Sequence, residues 1–144
     1  MTTSVLKEIK HLNCRIKKII DKRMPKNVHV NVTQMQIVTY LFKHENEEIC
    51  QKDLEAETHL KKASITGALD SLEDEGLVER IQSSEDKRRN IIKVTEKAEK
   101  ERQNIVCFYN KVNKAIIKNL TDQQIQQFLS ILSVMNKNLD EGGF

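Results

Sequence analysis

Asp86, Lys87, Arg88 and Arg89 stand side by side within the stretch ERIQSSEDKRRNIIKV, residues 79–94. Adjacent ammonium and guanidinium groups offer one chemistry above all, the binding of phosphate oxygens. A guanidinium can also enter a narrow A·T-rich minor groove, which is strongly negative. On either side, LVERIQ and NIIKV alternate apolar and polar residues, as two paired strands do. The spacing therefore predicts a hairpin with cations at its tip. The loop between the strands has no glycine, which excludes a tight two-residue turn and predicts a longer, mobile tip. A charged tip taken alone is an ordinary solvated turn. What lies upstream decides its meaning.

The elements that must position this tip can be read from apolar spacing. Val5, Ile9, Leu12, Ile16 and Ile19 recur in alternating steps of four and three, the seam of a helix that packs against another helix. Pro25 and the segment MPKNVHVNV form the connection after it. TQMQIVTYLFKHE begins with Thr33 and has Gln36 three residues on, a capping-box pattern, followed by the apolar face of Ile37, Val38, Leu41 and Phe42. CQKDLEAETHL predicts a short helix. KKASITGALDSLEDEG places Ile65, Ala68, Leu69 and Leu72 on one helical side and stops at Gly76. After the hairpin, Thr95 can cap a long helix to about Asn119, with Ala98, Ile105, Val106, Tyr109, Val112 and Ile116 on its apolar face. TDQQ at 121–124 repeats the capping box and opens a last helix carrying Ile125, Phe128, Leu129, Leu132, Met135 and Leu139.

The expected order is α-α-α-α-β-β-α-α, mainly α with a small β-wing. Short helices followed by a two-stranded hairpin make a winged helix-turn-helix, whose second helix lies in the major groove with the hairpin beside it. The whole chain, 1–144, reads as one domain. Residues 33–95 form the winged helix-turn-helix lobe, and 1–30 and 96–144 form dimerisation helices. The seam of the first helix and the faces of the last two have little to bury against in so small a lobe. A two-fold homodimer is the commonest solution.

Bulk composition narrows the function classes. Among 144 residues, 38% are hydrophobic, 31% charged and only 4% aromatic, which argues against a base-stacking platform for single strands. The formal net charge of +3 is unevenly placed. Lys7, Lys10, Arg15, Lys17, Lys18, Lys22, Arg23 and Lys26 face only Glu8 and Asp21 in the first basic zone. Arg80, Lys87, Arg88, Arg89 and Lys93 outnumber Glu85 and Asp86 in the second. Two local basic zones on a nearly neutral chain point to polyanions. The N-terminus reaches charge before any apolar run forms, so no signal peptide and no membrane span are expected. Cys14, Cys50 and Cys107 are odd in number, far apart and without zinc spacing, which suits a reducing cytoplasm. No glycine-rich phosphate loop, metal spacing or nucleophile elbow is present, so neither an enzyme nor a cofactor is expected.

ASITGALDSLEDEGLVERIQSSEDKRRNIIKVTEKAEK resembles the multiple-antibiotic-resistance-regulator (MarR) family of bacterial repressors. The matching pattern runs through Leu72, Gly76, Leu77, Val78, Arg80, then Asp86 and Arg88 in the wing, then Val94 and Thr95. The resemblance implies a homodimer on double-stranded DNA, reading a pseudo-palindromic operator, usually repressing transcription and releasing DNA on a small anionic aromatic ligand or an oxidant. It places Arg88 in the minor groove. Asp86 either orients that guanidinium by a charge-assisted bond or is a plain loop carboxylate. Lys87 and Arg89 are expected on the phosphate backbone. On the recognition helix, Lys61, Lys62, Ser64 and Thr66 can donate to base edges, Ser64 serving also as a helix cap. Relatives often carry Arg where this chain has Gly67. Arg80 is either a phosphate contact at the wing base or an ion-pair partner of Asp70, Glu73 or Glu79.

Two signals are compatible with this reading. A ligand between lobe and dimer helices could meet His11, Arg15, Tyr40 and Tyr109, each of which also fits an ordinary surface or core-edge position. Alternatively Cys14, close to Arg15, Lys17 and Lys18, senses oxidant, because cations lower a thiol's pKa. The rival to DNA binding is a winged helix devoted to protein contacts.

Overall fold

The computed structural model describes residues 3–143. Its elements are α1 (Val5–Arg23), α2 (Val32–Lys43), α3 (Gln51–Thr58), α4 (Lys62–Asp74), β1 (Val78–Gln82), β2 (Asn90–Val94), α5 (Glu96–Ile117) and α6 (Asp122–Glu141). The expected order of helices and strands is the observed one.

Helix ends show why the elements lie where they do. The Ser4 hydroxyl accepts the Lys7 amide N–H at 3.3 Å and starts α1, which stops at Met24 just before Pro25. The cap of α2 is Asn31, two residues before the expected cap Thr33. The Asn31 side chain accepts the Gln34 amide and the Gln34 side chain accepts the Asn31 amide, both at 2.9 Å. Two overlapping capping boxes compete here, and the earlier one has Val30 and Met35 both buried around it, the arrangement of a hydrophobic staple. Helix α4 starts after Lys61, so Ser64 lies inside the first turn and is not the cap. Its far end is a Schellman closure: Leu77 N–H donates to the Leu72 carbonyl and Gly76 N–H to the Glu73 carbonyl, each at 2.9 Å. Gly76 sits at φ +73°, where a side chain would be strained.

The chain divides into two compact units, one up to Tyr109 and one from Asn110 onward. In the first, Met35, Ile37, Val38 and Leu41 of α2 are at most 3% exposed, as are Leu54 of α3 and Ile65, Leu69 and Leu72 of α4, with Leu77, Ile92 and Ile105. Each such side chain contributes roughly 1.5–3 kcal/mol by leaving water. Strands β1 and β2 pair antiparallel from Val78 opposite Val94 to Gln82 opposite Asn90. The Ile92 amide reaches the Ile49 carbonyl at 2.8 Å, tying the hairpin to the segment before α3. On α1 only Ile20 is buried, and the seam residues Val5, Ile9, Leu12 and Ile19 are all exposed. In the second unit, Thr121 and Gln124 form the expected capping box of α6. That helix buries none of its residues, and Phe128, Leu129, Ile131, Val134 and Leu139 are at least 50% exposed.

Candidate nucleic-acid interface

Helix α4 offers Lys61 and Lys62 at its head, both exposed. Ser64 is exposed too and lines a groove with Gly67, Ser71 and the start of α2. A Cβ at Gly67 would meet nothing within 4 Å, so the missing side chain leaves the groove open on that side. Thr66 is less free than its sequence position suggests. Its hydroxyl donates to the Lys62 carbonyl at 2.9 Å and accepts from the Gln51 amide at 2.8 Å. Gln51 also reaches the Lys62 carbonyl at 3.3 Å, so the first residue of α3 braces the first turn of α4. No local sequence pattern marks Gln51 for this work, because its partners lie in another helix.

Hydrogen bonds of Ser83 and Gln82 close the wing tip. Ser83 is buried, and its hydroxyl accepts the amides of Glu85 and Asp86 at 3.3 and 3.4 Å. Its own amide donates to the Arg89 carbonyl at 2.8 Å, and the Gln82 side chain donates to the Lys87 carbonyl at 2.6 Å. The expected longer tip is a turn closed by polar side chains in place of glycine. Asp86 accepts the Arg88 backbone N–H at 3.0 Å, the bond of a loop carboxylate, which is one of the two readings open for it. The Arg88 and Lys87 side chains are exposed, and neither forms an ion pair among the described residues.

Arg89 is exposed like its neighbours and lines the same cleft as Cys50 and Asp53 at the start of α3; the nearby Cys50, followed by the negative charges of Asp53 and Glu48, raises its guanidinium pKa. Asp53 accepts the Cys50 amide at 2.8 Å and the Cys50 thiol at 3.2 Å. The amide bond, the thiol bond and the charge of Arg89 hold the Asp53 carboxyl below its usual range. Arg80 is turned inward. It pairs with Asp70 and Glu73 of α4 and lies 3.5 Å from the Thr66 carbonyl, a strut from β1 to the recognition helix. Of the two roles expected for Arg80, the ion pair is the one formed.

Lys62 at the head of α4 and Arg88 of the wing line one cleft, together with Asp86, Arg89 and the start of α3. The candidate ligand residues do not share such a place. His11 and Arg15 are exposed on α1, whereas Tyr40 and Tyr109 are half-buried on α2 and α5, and neither the wing cleft nor the α2–α4 groove is lined by any of them. Tyr40 packs its ring 4.3 Å from that of His44, and burial, followed by the charges of Asp53, Glu57 and Glu47, raises its phenol pKa. Cys14 and Cys107 are exposed and Cys50 is buried. Among the described residues, no cluster of His, Cys, Asp and Glu could hold a metal ion, and no helix is long and apolar enough to cross a membrane.

Residues 30–89 match the model of the MarR family. The uncharacterized HTH-type transcriptional regulator YdgJ of Bacillus subtilis (strain 168) is 21% identical over 125 residues, 87% of this chain and 75% of that relative. The crystal structure of the transcription regulator MarR from Oenococcus oeni PSU-1 matches with a TM-score of 0.81 and 26% identity, covering 93% of this chain and 99% of that one. The S. aureus MepR–DNA complex matches with a TM-score of 0.81 at 17% identity, covering 94% and 96%, a likeness of fold.

Proposed function

We infer that the chain, whose residues 30–89 match the MarR family model, is a transcriptional regulator of that family, and that two copies bind one pseudo-palindromic duplex operator and repress transcription until a small anionic aromatic ligand or an oxidant releases them. The observation that carries this reading is the shared cleft of Lys62 and Arg88, which puts free cations of the recognition helix and of the wing on one side of the lobe. Residues 33–95 act as the DNA-binding lobe. Residues 1–30 and 96–144 supply the dimer interface.

Roles divide by what each side chain already holds. Arg88 is the minor-groove group, since its side chain has no protein ion pair among the described residues. Lys87 contacts phosphate, and Lys61, Lys62 and Ser64 reach base edges. Thr66 and Arg80 support the interface from behind, because their polar groups are engaged by Gln51 and by Asp70 and Glu73, while the exposed Arg89 joins Lys87 on phosphate. Dimerisation is supported by the exposed apolar residues Val5, Ile9, Leu12 and Ile19 of α1 and, separately, Phe128, Leu129, Ile131, Val134 and Leu139 of α6. The MepR complex with DNA, built on the same fold, supports the duplex as partner. The exposed Cys14 thiol is open to an oxidant.

Selection of bound duplexes from a random pool tests this function. The expected result is enrichment of two inverted half-sites about 10 base pairs apart, centre to centre. No enrichment at low salt would leave the winged helix as a protein-contact module. Repeating the selection after peroxide and after a salicylate-like acid separates the two releasing signals.

A further inference from the structure

We propose that Lys97 and Arg102, two cations on α5, position the DNA-binding lobe by clamping the C-terminal ends of α4 and α2. The proposal rests on the dimeric DNA-binding reading above and adds what sets the placement of the recognition helix.

The last carbonyls of a helix have no partner within it and carry partial negative charge. Helix α2 ends at Lys43, so the Phe42 carbonyl is one of these. The Arg102 Nη2 donates to it at 3.2 Å, while Nη1 donates to Glu45 at 2.9 Å and to Glu99 at 3.4 Å. The guanidinium carbon also lies 5.0 Å from the centre of the Phe42 ring, whose residue is 2% exposed. Arg102 therefore holds a main-chain carbonyl, a ring and two carboxylates with one planar group.

Lys97 does the same at α4. Its Nζ donates to the carbonyl of Glu75, the C-cap residue, at 2.6 Å. Its stem passes over Gly76, where an added Cβ would lie 3.6 Å from Lys97 Cδ. Beside it the Thr95 hydroxyl donates to the Gly76 carbonyl at 2.5 Å and accepts the Ala98 amide at 3.2 Å. The start of α5 thus grips both helices by their ends. What fixes the lobe on the first turns of α5 therefore fixes the direction of α4 relative to those turns. These are positioning residues, with no contact to DNA required of them.

The test uses the full chain, as wild type, Arg102→Met, Arg102→Lys and Lys97→Met. The probes are the duplex returned by selection, its versions with the half-sites moved apart or together by one and two base pairs, and a single half-site. Wild type is expected to show a sharp spacing optimum. Arg102→Met should lose about tenfold at that optimum yet stay within about twofold on the single half-site, flattening the spacing profile. Arg102→Lys, which keeps charge without the planar fork, should fall between them. An unchanged profile, or equal losses on half-site and full site, overturns the clamp.

Amide hydrogen exchange judges the clamp even where no duplex is enriched, a result that would sink the DNA-binding reading instead. Exchange should quicken at His44 in Arg102→Met and at Gly76 and Leu77 in Lys97→Met, with Ile65–Leu69 unchanged in both. Unaltered exchange at those helix ends overturns the proposal.

Discussion

The Asp86 carboxylate accepts the backbone N–H of Arg88 at 3.0 Å. This short-range bond shapes the turn, and the guanidinium two residues on is left outside it. Replacing Arg88 with Ala should weaken binding to the selected duplex by about 1–3 kcal/mol and lower the salt slope by about 1. Asp86→Ala should cost less, through loosening of the tip. Asp86→Asn, which keeps an acceptor oxygen, should stay near wild type. Fluorescence anisotropy at several salt concentrations measures all three. If Asp86→Asn fell as far as Arg88→Ala, a charge contact to the guanidinium would replace the backbone role.

Arg80 joins β1 to α4 through Asp70 and Glu73. Substitution with Met should lower the stability of the fold by about 1 kcal/mol. The salt slope of DNA binding should stay as in wild type, because no phosphate contact is lost. Thermal melting and a salt series together decide this. A slope reduced by about 1 would show that the residue faces phosphate.

Gly67 lies in the interior of α4 with open space around its missing Cβ. Gly67→Ala should therefore stabilise the protein by about 1 kcal/mol, since glycine costs a helix roughly that much in backbone freedom. Circular dichroism melting should record a rise of about 3 °C. A fall would mean that the groove beside Ser64 and Ser71 is tighter than its geometry states.

Asp53 gives the fold an acid limit. Its carboxyl is held below the ordinary value of 3.8, first by the Cys50 amide, so the unfolded chain takes up the proton more readily than the folded one. Its contribution to stability is complete above that ordinary value and disappears as pH falls through the lower folded value. Asp53→Ala should lose about 1 kcal/mol at neutral pH, as for loss of a helix cap, and show a shallower loss below pH about 4. Melting curves from pH 7 to 3 check it, and parallel curves for both proteins would exclude the linkage.

Local signals made much of this fold legible. Gly76, Thr95 and the Thr121–Gln124 box mark their helix ends correctly because each acts within a few residues of chain. The start of α2 was ambiguous for a definable reason: Asn31 with Gln34 and Thr33 with Gln36 satisfy the same pattern, and only the burial of Val30 and Met35 decides between them. The site was legible as a cluster of cations and not as their division of labour. Arg80 reads from the sequence as either a phosphate contact or an ion-pair partner, and only the meeting of β1 with α4 puts it on Asp70 and Glu73. Gln51, Lys97 and Arg102 carry no local mark at all. Their partners Thr66, Glu75 and Phe42 are distant in sequence and meet them only once the core has formed.

The central claim is that two protomers lay their wings and recognition helices on one duplex. Sedimentation of the protein with the selected duplex, at protein concentrations from below to above saturation, measures the stoichiometry of the complex directly. The account predicts two chains per duplex, with a complex that dissociates steeply as salt rises. One chain per duplex, or no complex at low salt, would contradict it.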